Sequence, residues 1–261
     1  MLIYRSIDAS KEGERRIAEG LLKLKEAFEK LDIPERNLSD TLLIATWNIR
    51  EFDSTKYGVR GREPIFYIAE IIDRFDLVAV QEVRDDLTAL NELMNYLGGW
   101  WKCVLTDVTE GTQGNRERMA FLYDSRKIRF GGLAGEIVVP TTKKLEPAKQ
   151  LARTPFVVGL QAGWFKFTIC TTHILYGKAK AEDPNRLEEI RVLAEFLADR
   201  AREVCMVEEH DSPGRFQRLR HQRSDLGGDH RRGFYSAEAV TEATLQRPTN
   251  QALRSNRFYR S

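Results

Sequence analysis

Through its first two hundred residues the chain switches between two hydrophobic rhythms, one of helical and one of strand period. Residues 11–31 (KEGERRIAEGLLKLKEAFEKL) set Ile17, Leu21, Leu24 and Phe28 on one helical face, which predicts an amphipathic helix with a solvated charged side. Residues 40–49 (DTLLIATWNI) are apolar with little alternation, so they predict a buried strand rather than a half-exposed one. Residues 64–74 predict a helix opened by Pro64, which a first turn tolerates. A second buried strand (75–83, FDLVAVQEV) and a further helix (85–97) follow. Strands are then expected at 101–106, 119–124, 128–132 and 136–139. Residues 154–175 predict two strands joined as a hairpin around Ala162-Gly163. Asn185 is expected to cap a last helix over 186–203.

Alternating βα units followed by antiparallel pairs predict an α/β fold, two β-sheets packed face to face with helices outside. The rhythm fails near Val204. Residues 1–204 hold 13 lysines, whereas residues 205–261 hold ten arginines and neither lysine nor isoleucine. Three regions are therefore expected: a helical extension (1–40), the α/β region (41–204), and an Arg-rich tail (205–261) with too few aliphatic residues to order well. With 261 residues and a formal net charge of +2, composition alone argues for no polyanionic partner. Three cysteines are too few and too scattered for a disulfide framework or a zinc knuckle. No apolar run is long enough to span a membrane, and the N-terminus lacks the layout of a secretion signal, so a cytoplasmic location is expected. No obligate protein partner is evident.

Candidate chemistry lies where strands carry polar residues. Asn48 ends one predicted strand and Glu82 the next. Either alone reads as a strand end meeting water. Together they matter, because side chains at neighbouring strand C-termini converge on the rim where α/β proteins bind ligands. A carboxylate beside a carboxamide suits a hard cation, Mg²⁺ or Mn²⁺. His173, late in the strand TICTTHIL, is the one histidine in the first 204 residues and gains weight if it faces that rim.

The segments ATWNIR (45–50), LVAVQEV (77–83), RMAFLYD (118–124) and TTHILYG (171–177) follow in an order and spacing that resemble the DNase I-like endonuclease/exonuclease/phosphatase superfamily. The resemblance covers residues 41–203. It implies a four-layer α/β sandwich, here incomplete toward the C-terminus, and a metal-dependent phosphodiester hydrolase. By the same resemblance Glu82 would bind the metal, Asn48 would orient substrate or a metal ligand, His173 would contact the scissile phosphate, and Arg118 is a candidate phosphate contact. These residues leave the water-activating base unassigned.

The superfamily pattern next calls for an apolar strand ending Gly-Asp-Phe-Asn and, later, a Ser-Asp-His. The chain instead has HDSPGRFQ (210–217). Codons for the stretch from Met206 can be chosen so that the next reading frame spells W-S-K-N-M-I-L-L-G-D-F-N, which is compatible with a tail produced by a shifted frame, and that origin is the expectation. On this reading Asp229-His230 only mimics half of the missing motif, and His210, Asp211 and His221 lack a metal-site scaffold. The expectation is a hydrolase acting on nucleic acid or another phosphodiester, inactive as this chain. The alternatives are a phosphatase of lipid or inositol phosphates, or a noncatalytic nucleic-acid-binding protein that uses the tail.

Overall fold

The computed structural model describes residues 3–31, 33–52, 60–108, 116–139, 151, 153–174 and 183–210, with 202–210 as helix backbone alone. They divide into two compact units. The first holds the described residues up to Val138 and from Arg153 to His173; the second holds Val139, Leu151 and the residues from Ile174 onward.

The first unit is built on β2 (Leu77–Arg84). Its run of apolar residues is buried on both faces: Val78 and Val80 point to a core shared with helices, Leu77 and Ala79 to a core between sheets. β1 (Ile44–Phe52) lies parallel to β2 on one side. β4 (Glu117–Asp124) lies antiparallel on the other, followed by β3 (Trp101–Leu105), for the order β1-β2-β4-β3. α1 (Glu12–Glu29), α2 (Arg62–Ile72) and α3 (Thr88–Leu97) supply Ile17, Leu21, Ile65, Phe66 and Leu93 to the helix-side core. α1 therefore shares its core with α2 and α3.

The second sheet is an antiparallel meander of β5 (Ile128–Glu136), β6 (Phe156–Ala162) and β7 (Phe165–Thr171). Ile128, Phe156, Val158 and Leu160 pack against Leu77, Ala79, Phe121 and Tyr123 of the first sheet. The unit is α/β, two packed sheets with flanking helices, as the element pattern predicts. The hairpin turns where expected, with Gly163 at φ 58°, a conformation that a Cβ disfavours.

Three expectations change. β1 is not a fully buried strand: Thr46, Asn48 and Arg50 are exposed. Among the described residues β1 pairs only with β2, so one edge and part of the sheet-facing side lie open. The two strands expected at 128–132 and 136–139 are largely one, β5, which keeps pairing with β6 across a bulge between Phe130 and Ala134, where Gly132 takes φ 88°. In the second unit α4 (Pro184–His210) is capped by Asp183, not Asn185: the Asp183 carboxylate accepts the backbone N–H of Asn185 at 3.0 Å, and Pro184 opens the helix. α4 also continues past Val204. Of the tail, residues 211–261 lie outside the described residues. No described helix is long and apolar enough to cross a membrane.

Candidate active site

The parallel pairing of β1 with β2 brings their C-terminal ends to one rim. There both ladders lose register, between Asn48 and Phe52 on β1 and between Val80 and Val83 on β2. Glu51 and Glu82 adopt left-handed backbone at φ 49° and 64°. Neither is a glycine, so both conformations are strained and must be held by their surroundings. The distortion turns the Glu82 carboxylate onto the rim, where Oε2 accepts the backbone N–H of Glu51 at 2.8 Å.

The C-terminal end of β7 reaches this rim through Thr171. Gln81, buried on β2, donates to Thr46 Oγ1 on β1 at 3.0 Å and to Thr171 Oγ1 on β7 at 2.7 Å. This carboxamide ties the two sheets together two residues before His173. The imidazole then meets both predicted partners: Nε2 lies 3.4 Å from Asn48 Nδ2 and 3.6 Å from Glu82 Oε1. Asn48, Glu82 and His173, separated by up to 125 positions, are brought together here.

The structure adds two residues that the sequence reading missed. Glu117 Oε2 lies 2.8 Å from His173 Nδ1 and accepts Arg153 Nε, also at 2.8 Å. Burial pushes the Glu117 carboxyl upward, but the hydrogen bond with His173 and the charge of Arg153 outweigh it, and the net shift is below the ordinary carboxylate range. An ionised Glu117 can only accept, so the imidazole donates to it from Nδ1, and Nε2 is the ring atom that faces Asn48 and Glu82. A sequence signal for Glu117 existed: it shares strand parity with inward-facing Met119, Phe121 and Tyr123.

Arg118 has the opposite parity and is not brought to this cluster. Its Nη1 donates to the Thr106 carbonyl at 3.0 Å and lies 3.2 Å from Asp107 Oδ1. Burial pushes the Cys103 and Cys170 thiols up to about 12, opposite to the shift that activates a thiol. Among the described residues no group of three or more His, Cys, Asp and Glu side chains forms a ready cage for a metal. Mg²⁺ does not require one, because it keeps several waters and takes one or two carboxylates. Glu82, with Oε1 turned to the rim and Asn48 beside it, meets that lesser demand. The tail residues Asp211, His221, Asp229 and His230 lie outside the described residues, and of His210 only backbone is described.

No family model matches the chain. It is similar to a protein named deoxyribonuclease from Thioalkalivibrio sp. (strain K90mix), 28% identical over 172 residues, which cover 64% of this chain and 44% of that protein. It is also similar to deoxyribonuclease-1 of Bos taurus, 34% identical over 93 residues, which cover 34% of this chain and 32% of that protein. The chain thus matches less than half the length of either relative. Among solved structures, an endonuclease/exonuclease/phosphatase from Bacteroides vulgatus aligns with TM-score 0.46 at 15% identity, covering 64% of this chain and 62% of that one. The resemblance to DNase I-like proteins carried by the sequence motifs is thus met by two relatives that bear the deoxyribonuclease name.

Proposed function

We propose that the chain belongs to the DNase I-like superfamily and carries one part of the active site of a metal-assisted phosphodiester hydrolase that acts on nucleic acid. The observation that carries the reading is the convergence of Glu82, Asn48 and the Glu117-held His173 on one rim. Glu82 Oε1 and the Asn48 carboxamide would hold Mg²⁺ or Mn²⁺, which supplies neutralisation of charge developing on the phosphoryl oxygens. With its Nδ1–H held by Glu117, His173 would, in its protonated form, donate a hydrogen bond from Nε2 to a phosphoryl oxygen. Glu117 and Arg153 keep the ring from rotating. Arg50 and Arg60, with Trp47 and Tyr67, border an open groove beside Asn48, a setting that suits a phosphate backbone flanked by bases.

The residues after Val204 do not spell Gly-Asp-Phe-Asn, and no described residue supplies a second histidine to the site. This chain is therefore expected to turn over DNA near background. The test is Mg²⁺-dependent nicking of supercoiled duplex DNA by the 261-residue chain and by His173→Ala, with a soluble phosphomonoester as the second substrate. Equal, near-zero nicking by both agrees with an incomplete site. Strong nicking lost in His173→Ala would overturn the expected inactivity and keep the nuclease. Hydrolysis of the phosphomonoester alone would move the protein to the phosphatases.

A further inference from the structure

Glu82 is held by a device of its own, built from residues that no step above uses. Its Oε2 is occupied by the backbone N–H of Glu51, at 2.8 Å. That N–H is available because β1 leaves its ladder with β2 at this point and Glu51 is left-handed. Glu51 is in turn gripped by Arg84, whose Nε donates to Glu51 Oε2 at 2.8 Å and whose Nη2 donates to the same oxygen. Both side chains are largely buried, at 15% and 13% exposure. Arg84 stands two residues after Glu82 on β2, so the chain of contacts starts and ends on one strand and passes through the bulge of its neighbour.

We infer that Arg84 and Glu51 are positioning residues that fix Glu82 as a one-oxygen metal ligand: Arg84 clamps Glu51, the Glu51 N–H claims Oε2, and only Oε1 is left to face the metal. The inference rests on the reading of Glu82 as a ligand. Without the clamp, Glu51 would relax from its strained backbone, its N–H would swing away, and Glu82 would sample orientations with neither oxygen fixed. Groups that orient a ligand typically govern metal affinity by ~10–100-fold. A plain ion pair predicts the opposite sign. Deleting the positive charge of Arg84 near a cation site removes repulsion and should tighten binding.

The first experiment titrates Mn²⁺ into the full chain and reads free Mn²⁺ by electron paramagnetic resonance. Glu82→Gln comes first: if it binds Mn²⁺ as the parent does, the ligand reading fails and this inference falls with it. If Glu82→Gln weakens binding, Arg84→Met decides. Positioning predicts about tenfold weaker Mn²⁺ binding; unchanged or tighter binding overturns the inference and leaves the ligand reading intact. Arg84→Lys keeps the charge and loses the two-nitrogen fork, so it is expected between parent and Arg84→Met, and it carries the test if the methionine variant does not fold. A second readout needs no metal. Amide hydrogen exchange at Glu51 should accelerate about tenfold in both Arg84 variants while Val78 and Val80 keep their protection. Unchanged exchange at Glu51 overturns the clamp.

Discussion

The first sheet has a charged cluster at each end, and the two are built to opposite rules. At the rim where β2 starts, Asp76 and Asp124 are fully buried. Asp76 takes Arg36 Nε, Lys127 Nζ and the Leu43 N–H, each at 2.8 Å. Asp124 takes Arg36 and three donors of Arg126, including its backbone N–H at 3.0 Å. Both carboxylates are saturated by donors from their own surroundings. At the other rim Glu82, Asn48 and His173 keep polar atoms turned outward, and two acidic residues sit on strained backbone. Ion pairing by itself thus marks structure as readily as function. The distinction lies in polar atoms that still face outward and in left-handed backbone at Glu51 and Glu82.

The largest expected break in this contrast is Asp76→Ala. It removes the fully buried carboxylate shared by Arg36 and Lys127 and should cost about 3–5 kcal/mol in urea unfolding. A loss comparable to that of a surface substitution would mean that the far rim is not a structural lock. Acid should act on both rims at once. For Asp124, burial pushes the carboxyl up, but the hydrogen bonds from Arg126 and the charges of Arg36 and Arg126 prevail, leaving a folded value below the unfolded one. Glu117 is lowered as well, through His173 and Arg153. Stability from a depressed carboxyl is complete above its unfolded value, about 4, and drains away as pH falls through the lower folded value. The urea midpoint should therefore drop between about pH 5 and pH 2, and Asp124→Asn should flatten the drop. An unchanged profile in Asp124→Asn would show that the far rim is not what acid attacks. The smallest effect sharpens the contrast. At φ 64° a glycine relieves strain, so Glu82→Gly should be more stable than Glu82→Ala by about 1 kcal/mol, measured by thermal unfolding. No gap between the two would mean that the site rim stores no strain.

The architecture was legible because β2 and α1–α3 obey their periods cleanly and glycine marks the β6–β7 turn. β1 misled because an apolar run tells how a strand is composed, not how many neighbours it acquires. Asn48, Glu82 and His173 were legible as polar residues interrupting apolar strands. Glu117 was hidden by a one-residue choice: beside Arg118, the side facing the second sheet follows from strand parity, and only pairing with β2 reveals what lies there. Arg153 precedes its strand and carries no periodic signal at all. The Asp183 cap shows a narrower limit, since Asp-Pro-Asn offers two capping residues and the helix begins at the proline between them.

The contacts that define the site join residues 125, 90 and 56 positions apart, through Asn48 with His173, Gln81 with Thr171, and Glu117 with His173. Each closes a long loop, and such closures come late because their entropy is spent before their contacts reward it. A chain with one sheet formed and the other still open holds Glu82 and Asn48 but no histidine beside them. Occupancy of the site is therefore a property of the finished fold. A ligand that recognises the assembled rim stabilises the whole folded unit in proportion to the logarithm of its concentration, and does so across all of its strands at once.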